Sequence, residues 1–289
     1  MAKILVVADR EADDDTAIRR AARLAEKLGD SLHVASFGYE LLSDMEDLVS
    51  ASVAKKIRKT VLDERKEAAQ AHLSKYEVKA RVTAVWEQDV AGWVTAHTRD
   101  NDYRFVIKTS AHTSTLFYTA SERRLMRECP VPVMILARKK WKKRNRILAT
   151  VDLASKSKVQ QALNEEVINV SLALAETMGG SVHVCNVVPF SKVLMDLDVI
   201  DSRNLQKKAR DKARRAMEKL LAGRIDGKHS HLAVGEPHRK IPSLANKLKA
   251  DMVVMGSRGR KGAKGRLLGN TAEKTLDKLY TDILTLRAS

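Results

Sequence analysis

Four stretches of the chain recur roughly 150 residues downstream, and this constrains the fold more than any other feature. RLAEKLGDSLHVASF (23–37) lies over ALAETMGGSVHVCNV (173–187), and ILVVAD (4–9) over ILATVD (147–152). RFVIKTS (104–110) matches MVVMGSR (252–258), and ERRLMRECPVPVMIL (122–136) matches AEKTLDKLYTDILTL (272–286). Offsets of 143 to 150 residues mean two copies of one domain, and they are too long for a solenoid repeat. In a chain of 289 residues each copy is long enough to bury its own core. The predicted division is a first domain at residues 1–138, a basic linker at 139–145 and a second domain at 146–289.

Both copies read as strands alternating with helices. In the second, RILATV (146–151) is an apolar run without polar alternation, which suits a strand buried on both faces. SKVQQALNEEVINVSLALAETM (157–178) comes next, with Val159, Leu163, Val167 and Val170 at helical steps and Gly179–Gly180 as its stop. Strands at 182–188, 231–234, 252–255 and 282–286 alternate with helices at 203–222, 241–249 and 271–279. This α/β pattern predicts a five-stranded parallel sheet flanked by helices in each domain, joined by right-handed crossovers. Ligands of such sheets bind beyond the carboxyl ends of the strands, where strand order reverses. The informative positions are therefore Asp152, Val188–Pro189, Gly235-Glu236-Pro237, and the loop after Met255.

That loop reads GSRGRKGAKGRLLGNT, with glycine at 256, 259, 262, 265 and 269 and five Lys or Arg between them. Glycine lets backbone approach a ligand, and successive N–H groups can form a nest for an anion. The helix from about Asn270 adds its free N–H groups. Phosphate is the chemistry this composition suits. A solvated basic loop is the plainer alternative, and composition alone leaves the two open.

The spacing Gly256, two residues, Gly259, nine residues, Gly269 resembles the nucleotide loop of the universal stress protein family. The first strand ending in Asp, the V-H-V second strand and G-E-P after the third extend the resemblance through both copies. It implies two tandem Rossmann-like domains of the adenine nucleotide alpha hydrolase-like kind, with a role in stress response or regulation in the cytoplasm. It also implies an ATP site in the second domain. Thr150, Val151 and Asp152 would line the ribose and adenine, and adenine would meet backbone near Val184. Met255 and Gly256 would open the phosphate loop. Gly259, Gly269, Asn270 and Thr271 would hold the phosphates, with Arg258 beside them. Asn270 departs from the family's Ser or Thr. A magnesium ion bridging the phosphates is compatible with this, with Asp152 its one acid. No nucleophile, base or resident metal set is evident, so binding or at most slow ATP hydrolysis is expected.

The first copy has no glycine across VIKTSAHTSTLFYTASERRL (106–125), and Lys108 falls under Gly256. It is not expected to bind ATP in the same way. Pairing of the domains through their last strands is expected, and a homodimer is compatible. LLSDMEDLVSASVA (41–54) and KVLMDLDVI (192–200) are read first as packed helices and second as lids. The two cysteines are far apart and read as buried thiols; His229 and His231 with Cys185 or His238 make a loose zinc alternative. A net charge of +17 permits a different class of function, with nucleic acid or anionic membrane as partner. Aromatic residues make up only 4% of the chain, too few for base-stacking platforms.

Overall fold

The apolar runs that open each copy become central strands of parallel sheets. In a computed structural model, residues 1–8, 15–39, 50–111, 118–137, 144–190, 202–258, 260–262, 265–267 and 270–288 are described. For 202, 203, 260–262, 265–267, 270 and 271 this covers the backbone alone. The chain divides into two compact units, residues 1–113 with 119–138, and residues 139–289 with 114–118.

The first unit contains β1 (Lys3–Ala8), α1 (Thr16–Leu28), β2 (Ser31–Gly38), α2 (Ala51–Leu73) and β3 (Ala80–Trp86). It continues with α3 (Val90–His97), β4 (Phe105–Thr109), α4 (Ala120–Glu128) and β5 (Val133–Leu136). The strand order is β3-β2-β1-β4-β5, every pairing parallel. Ile4, Leu5, Val6, Val106, Ile107 and Ile135 are buried, as continuous apolar strands covered on both faces require.

The second unit repeats this plan with β6 (Arg146–Val151), α5 (Lys158–Met178), β7 (Ser181–Val188), α6 (Ser202–Leu221) and β8 (Ser230–Val234). Then come α7 (Pro237–Leu248), β9 (Met252–Ser257), β10 (Arg260–Gly262), β11 (Gly265–Leu267), α8 (Asn270–Leu276) and β12 (Asp282–Arg287). Its order is β12-β9-β6-β7-β8, again all parallel. From β6 the chain winds outward through β7 and β8, then returns to place β9 on the other side. Strand order therefore reverses between β6 and β9, and the crevice of a doubly wound sheet opens at their carboxyl ends.

Local chemistry explains most boundaries. Gly179 caps α5 in the left-handed conformation at φ 65°, and its N–H reaches the carbonyls of Ala175 and Glu176. The helix predicted from 241 begins at Pro237, because proline sits at its first turn, where no N–H partner is needed. The buried stripe of α5 runs through Gln160, Leu163, Asn164, Val167 and Ile168, while Val159 is exposed. The inward residue is polar because it is hydrogen-bonded: Gln160 Nε2 donates to Asn164 Oδ1 at 2.9 Å.

Candidate functional site

Two segments wall the crevice of the second unit, one leaving β6 and the other leaving β9. After β6 the chain turns at Asp152, whose Oδ1 accepts the N–H of Ala154 at 3.0 Å. Two buried asparagines hold this turn. Asn164 of α5 accepts the Asp152 N–H at 3.1 Å and donates to the Asp152 carbonyl at 2.8 Å. Asn186 of β7 accepts the N–H of Leu153 at 3.2 Å. Both are nearly sealed from solvent, so the turn is fixed by paired polar groups and its carboxylate faces outward. Sequence reasoning missed both residues. The available signal was a pair of polar residues inside otherwise apolar segments.

After β9 the glycine loop begins. A Cβ on Gly256 would lie 2.6 Å from Leu163 Cγ, so glycine is needed here for the close approach of α5. Arg258 comes two residues later, and its Nη2 stands 4.0 Å from Asp152 Oδ2. Both side chains are about two-fifths exposed. Such a pair is worth little by itself, which leaves both groups ready to meet a ligand. Beyond it, β10 and β11 form an antiparallel hairpin in which Lys261 opposes Arg266 and Gly262 opposes Gly265. The glycine-rich stretch thus contains regular structure. Asn270 and Thr271 lie in the first turn of α8.

The remaining expected site residues divide. Thr150 and Val151 end β6 beside the crevice, and the Thr150 hydroxyl donates to the Val254 carbonyl at 3.2 Å. Met255 is buried opposite Thr150. Gly259 and Gly269 lie outside the described residues. Val184 requires a correction. It is wholly buried mid-strand, level with Ala149 and Ser230, and distant from the carboxyl end of β7. The β7 residue level with the end of β6 is Asn186, opposite Val151. Glu236 pairs with Arg239 at 2.7 Å at the start of α7.

A second correction concerns the first unit. Ile4 pairs with Phe105 and Ile147 with Met252, so equivalent positions on β4 and β9 differ by 147 residues. Lys108 is therefore level with Met255, and Thr109 takes the place of Gly256. Continuous apolar strands carry no alternation that fixes an alignment to the residue, hence the slip of one.

The zinc alternative does not assemble. His183 Nδ1 and His231 Nε2 instead share a hydrogen bond at 3.0 Å, with the His229 ring 4.3 Å from that of His183. Among the described residues no group of three or more His, Cys, Asp or Glu is arranged to hold a metal ion. Burial pushes the Cys185 thiol up to about 12, far from a thiolate ligand at neutral pH. Most of the linker and of the two segments read as lids lies outside the described residues. Among the described residues no helix is long and apolar enough to cross a membrane.

Comparison with known proteins adds ancestry to this geometry. The family model of the universal stress protein family matches residues 1–137 and again 143–287. A universal stress protein E homolog from Haemophilus influenzae is 28% identical over 300 residues, covering 99% of this chain and 97% of its own. Universal stress protein E of Escherichia coli K12 is 28% identical, with 98% and 93% covered. Among solved structures, a protein of unknown function from Pseudomonas aeruginosa PAO1 superposes with TM-score 0.74 at 21% identity, covering 100% of this chain and 93% of its own. A universal stress protein from Archaeoglobus fulgidus does so with TM-score 0.62 at 17% identity, covering 99% and 96%. These two likenesses concern the fold alone.

Proposed function

Because the chain belongs to the universal stress protein family, we propose that its second unit binds an adenine nucleotide, ATP with magnesium, in the β6–β9 crevice. The observation that carries this reading is the meeting of two unlike walls at the point where strand order reverses. One is a rigidly held carboxylate turn at Asp152; the other is a glycine-rich, basic loop beginning at Gly256. The carboxylate suits ribose hydroxyls, which donate hydrogen bonds, and is placed to meet a magnesium ion. The basic loop suits phosphates, through Arg258 and through the backbone N–H groups of Gly259, Gly269, Asn270 and Thr271. Val151 and Asn186 would flank the base in place of Val184.

The site suits binding, used in stress response or regulation, better than turnover. Asp152, the carboxylate of these walls, is engaged with Ala154 N–H and faces Arg258, which suits it to holding a ligand more than to activating water. A magnesium ion held at Asp152 would supply polarisation of the phosphates for at most slow hydrolysis.

A second reading rests on the charge of +17 and on the run Lys207, Lys208, Arg210, Lys212, Arg214 and Arg215 in α6. It makes the protein a polyanion binder. Salt separates the two. Binding through several phosphate contacts should fall by ~10³ or more between 50 and 200 mM salt. Mg-ATP held largely by backbone N–H groups and an adenine slot should lose about tenfold or less over that range. A steep loss for Mg-ATP, matched by nucleic acid binding of similar slope, would reject the nucleotide site.

A further inference from the structure

The corner beside β4 and α4 in the first unit contains a buried carboxylate that the second unit lacks. Glu122 is the third residue of α4, and its side chain has no exposed surface. Its Oε1 accepts the N–H of Ala111, just past β4, at 2.8 Å. Its Oε2 accepts the N–H of Thr119 at 2.9 Å. Lys108 Nζ donates to Oε1 at 3.2 Å and to the Thr109 carbonyl at 2.7 Å. The Thr119 hydroxyl completes a capping box by accepting the N–H of Glu122 at 3.1 Å.

These donors form an anion site: two backbone N–H groups from either side of a strand-to-helix loop, plus an ammonium. The carboxylate in it belongs to the chain itself. In the second unit α8 begins at Asn270, 150 residues after α4 begins at Ala120, so Ala272 stands where Glu122 does. A methyl side chain cannot supply the charge. There the corner is open to an anion from outside, with Met255 standing where Lys108 does and glycine and arginine in the loop after it.

We infer that Glu122 is an internal anion that fills in the first unit the corner left for phosphate in the second, and is the residue that confines nucleotide to one site per chain. The inference rests on the nucleotide reading of the second unit for its comparison, but its test reads the first unit alone. Trp86 and Trp93 lie in the first unit, and Trp141 is the third and last tryptophan of the chain. In a Trp141→Phe background of the full chain, tryptophan fluorescence therefore tracks the unfolding of the first unit.

The probe is inorganic phosphate, compared with chloride at equal ionic strength. The parent should gain nothing from phosphate beyond the chloride control. Glu122→Ala should melt lower and regain about 3–5 °C in tens of millimolar phosphate. Lys108→Ala combined with Glu122→Ala should lose most of that gain. Phosphate taken up by the second unit is not read, because both remaining tryptophans lie in the first. A Glu122→Ala protein that responds to phosphate no more than to chloride overturns the inference, as does a parent that responds equally. If Glu122→Ala folds in phosphate and not in chloride, the inference holds. Should it fold in neither, the isosteric Glu122→Gln decides: a lowered midpoint supports a required charge, and a midpoint equal to the parent's overturns it.

Discussion

Leu163 of α5 lies so close over Gly256 of β9 that a Cβ on the glycine would come within 2.6 Å of Leu163 Cγ. The contact ties the loop after β9 to the helix that also carries Asn164. Gly256→Ala should therefore act twice. Overpacking should cost about 1–3 kcal/mol, and displacement of α5 should disturb the Asp152 turn and weaken nucleotide binding. Thermal melting and calorimetry check the two effects. Combining Gly256→Ala with Leu163→Ala should cost less than the sum of the single changes, because the methyl then has room.

Asn164 supplies both partners of the Asp152 backbone. Asn164→Ala leaves a buried donor and acceptor unpaired, at about 1–3 kcal/mol. Released from its fixed turn, the carboxylate loses its orientation, and affinity for Mg-ATP should fall roughly tenfold. Equal affinity in parent and variant, by titration, would show that this turn is not part of the site.

Among the described residues Arg258 makes an exposed pair with Asp152, worth about 0–1 kcal/mol to folding. Arg258→Ala should leave the melting temperature unchanged within about 1 °C and weaken Mg-ATP about three- to tenfold. If Arg258 meets the outer phosphates, as the proposed site requires, the loss should be larger for ATP than for AMP.

Acid should destabilise both units by way of their buried histidines. Burial, with help from neighbouring cations and imidazoles, lowers His33 and His183 to about 4, and lowers His97 and His231 too. A depressed histidine binds its proton in the unfolded chain first. Stability is therefore full above about pH 6.5 and falls as pH drops toward 4. His33 and His183 each contribute a slope of up to about 1.4 kcal/mol per pH unit within that window. Urea midpoints between pH 4.5 and 7 test this. For the first unit, His33→Gln should reduce the slope seen by tryptophan fluorescence, although it loses the bonds to Tyr103 and Thr83.

Much of the frame was legible because it rests on signals that are local or repeated. Apolar runs such as ILVV and MVVM are long enough to mark strands, Gly179 is a helix stop by its own φ, and the duplication checks each element against its twin. The illegible part depends on register and on partners far away in sequence. Val184 and Asn186 sit in one unbroken strand, and only the paired ends of β6 and β7 decide which of them borders the crevice. The slip between Lys108 and Thr109 has the same origin. The hairpin of β10 and β11 has three residues per strand, too short to show alternation among lysines, arginines and glycines. Asn164, Asn186 and Glu122 gain their roles from groups at other strand ends, which no pattern in their own segments announces.

The most direct measurement is calorimetric titration of the full chain, stripped of nucleotide, with Mg-ATP, in parallel with a Gly259→Glu, Gly269→Glu double variant. One site per chain in the parent and none in the folded variant is the predicted result. Absence of heat in the parent at concentrations able to detect micromolar affinity, or undiminished binding in the variant, would contradict a nucleotide site built on this loop.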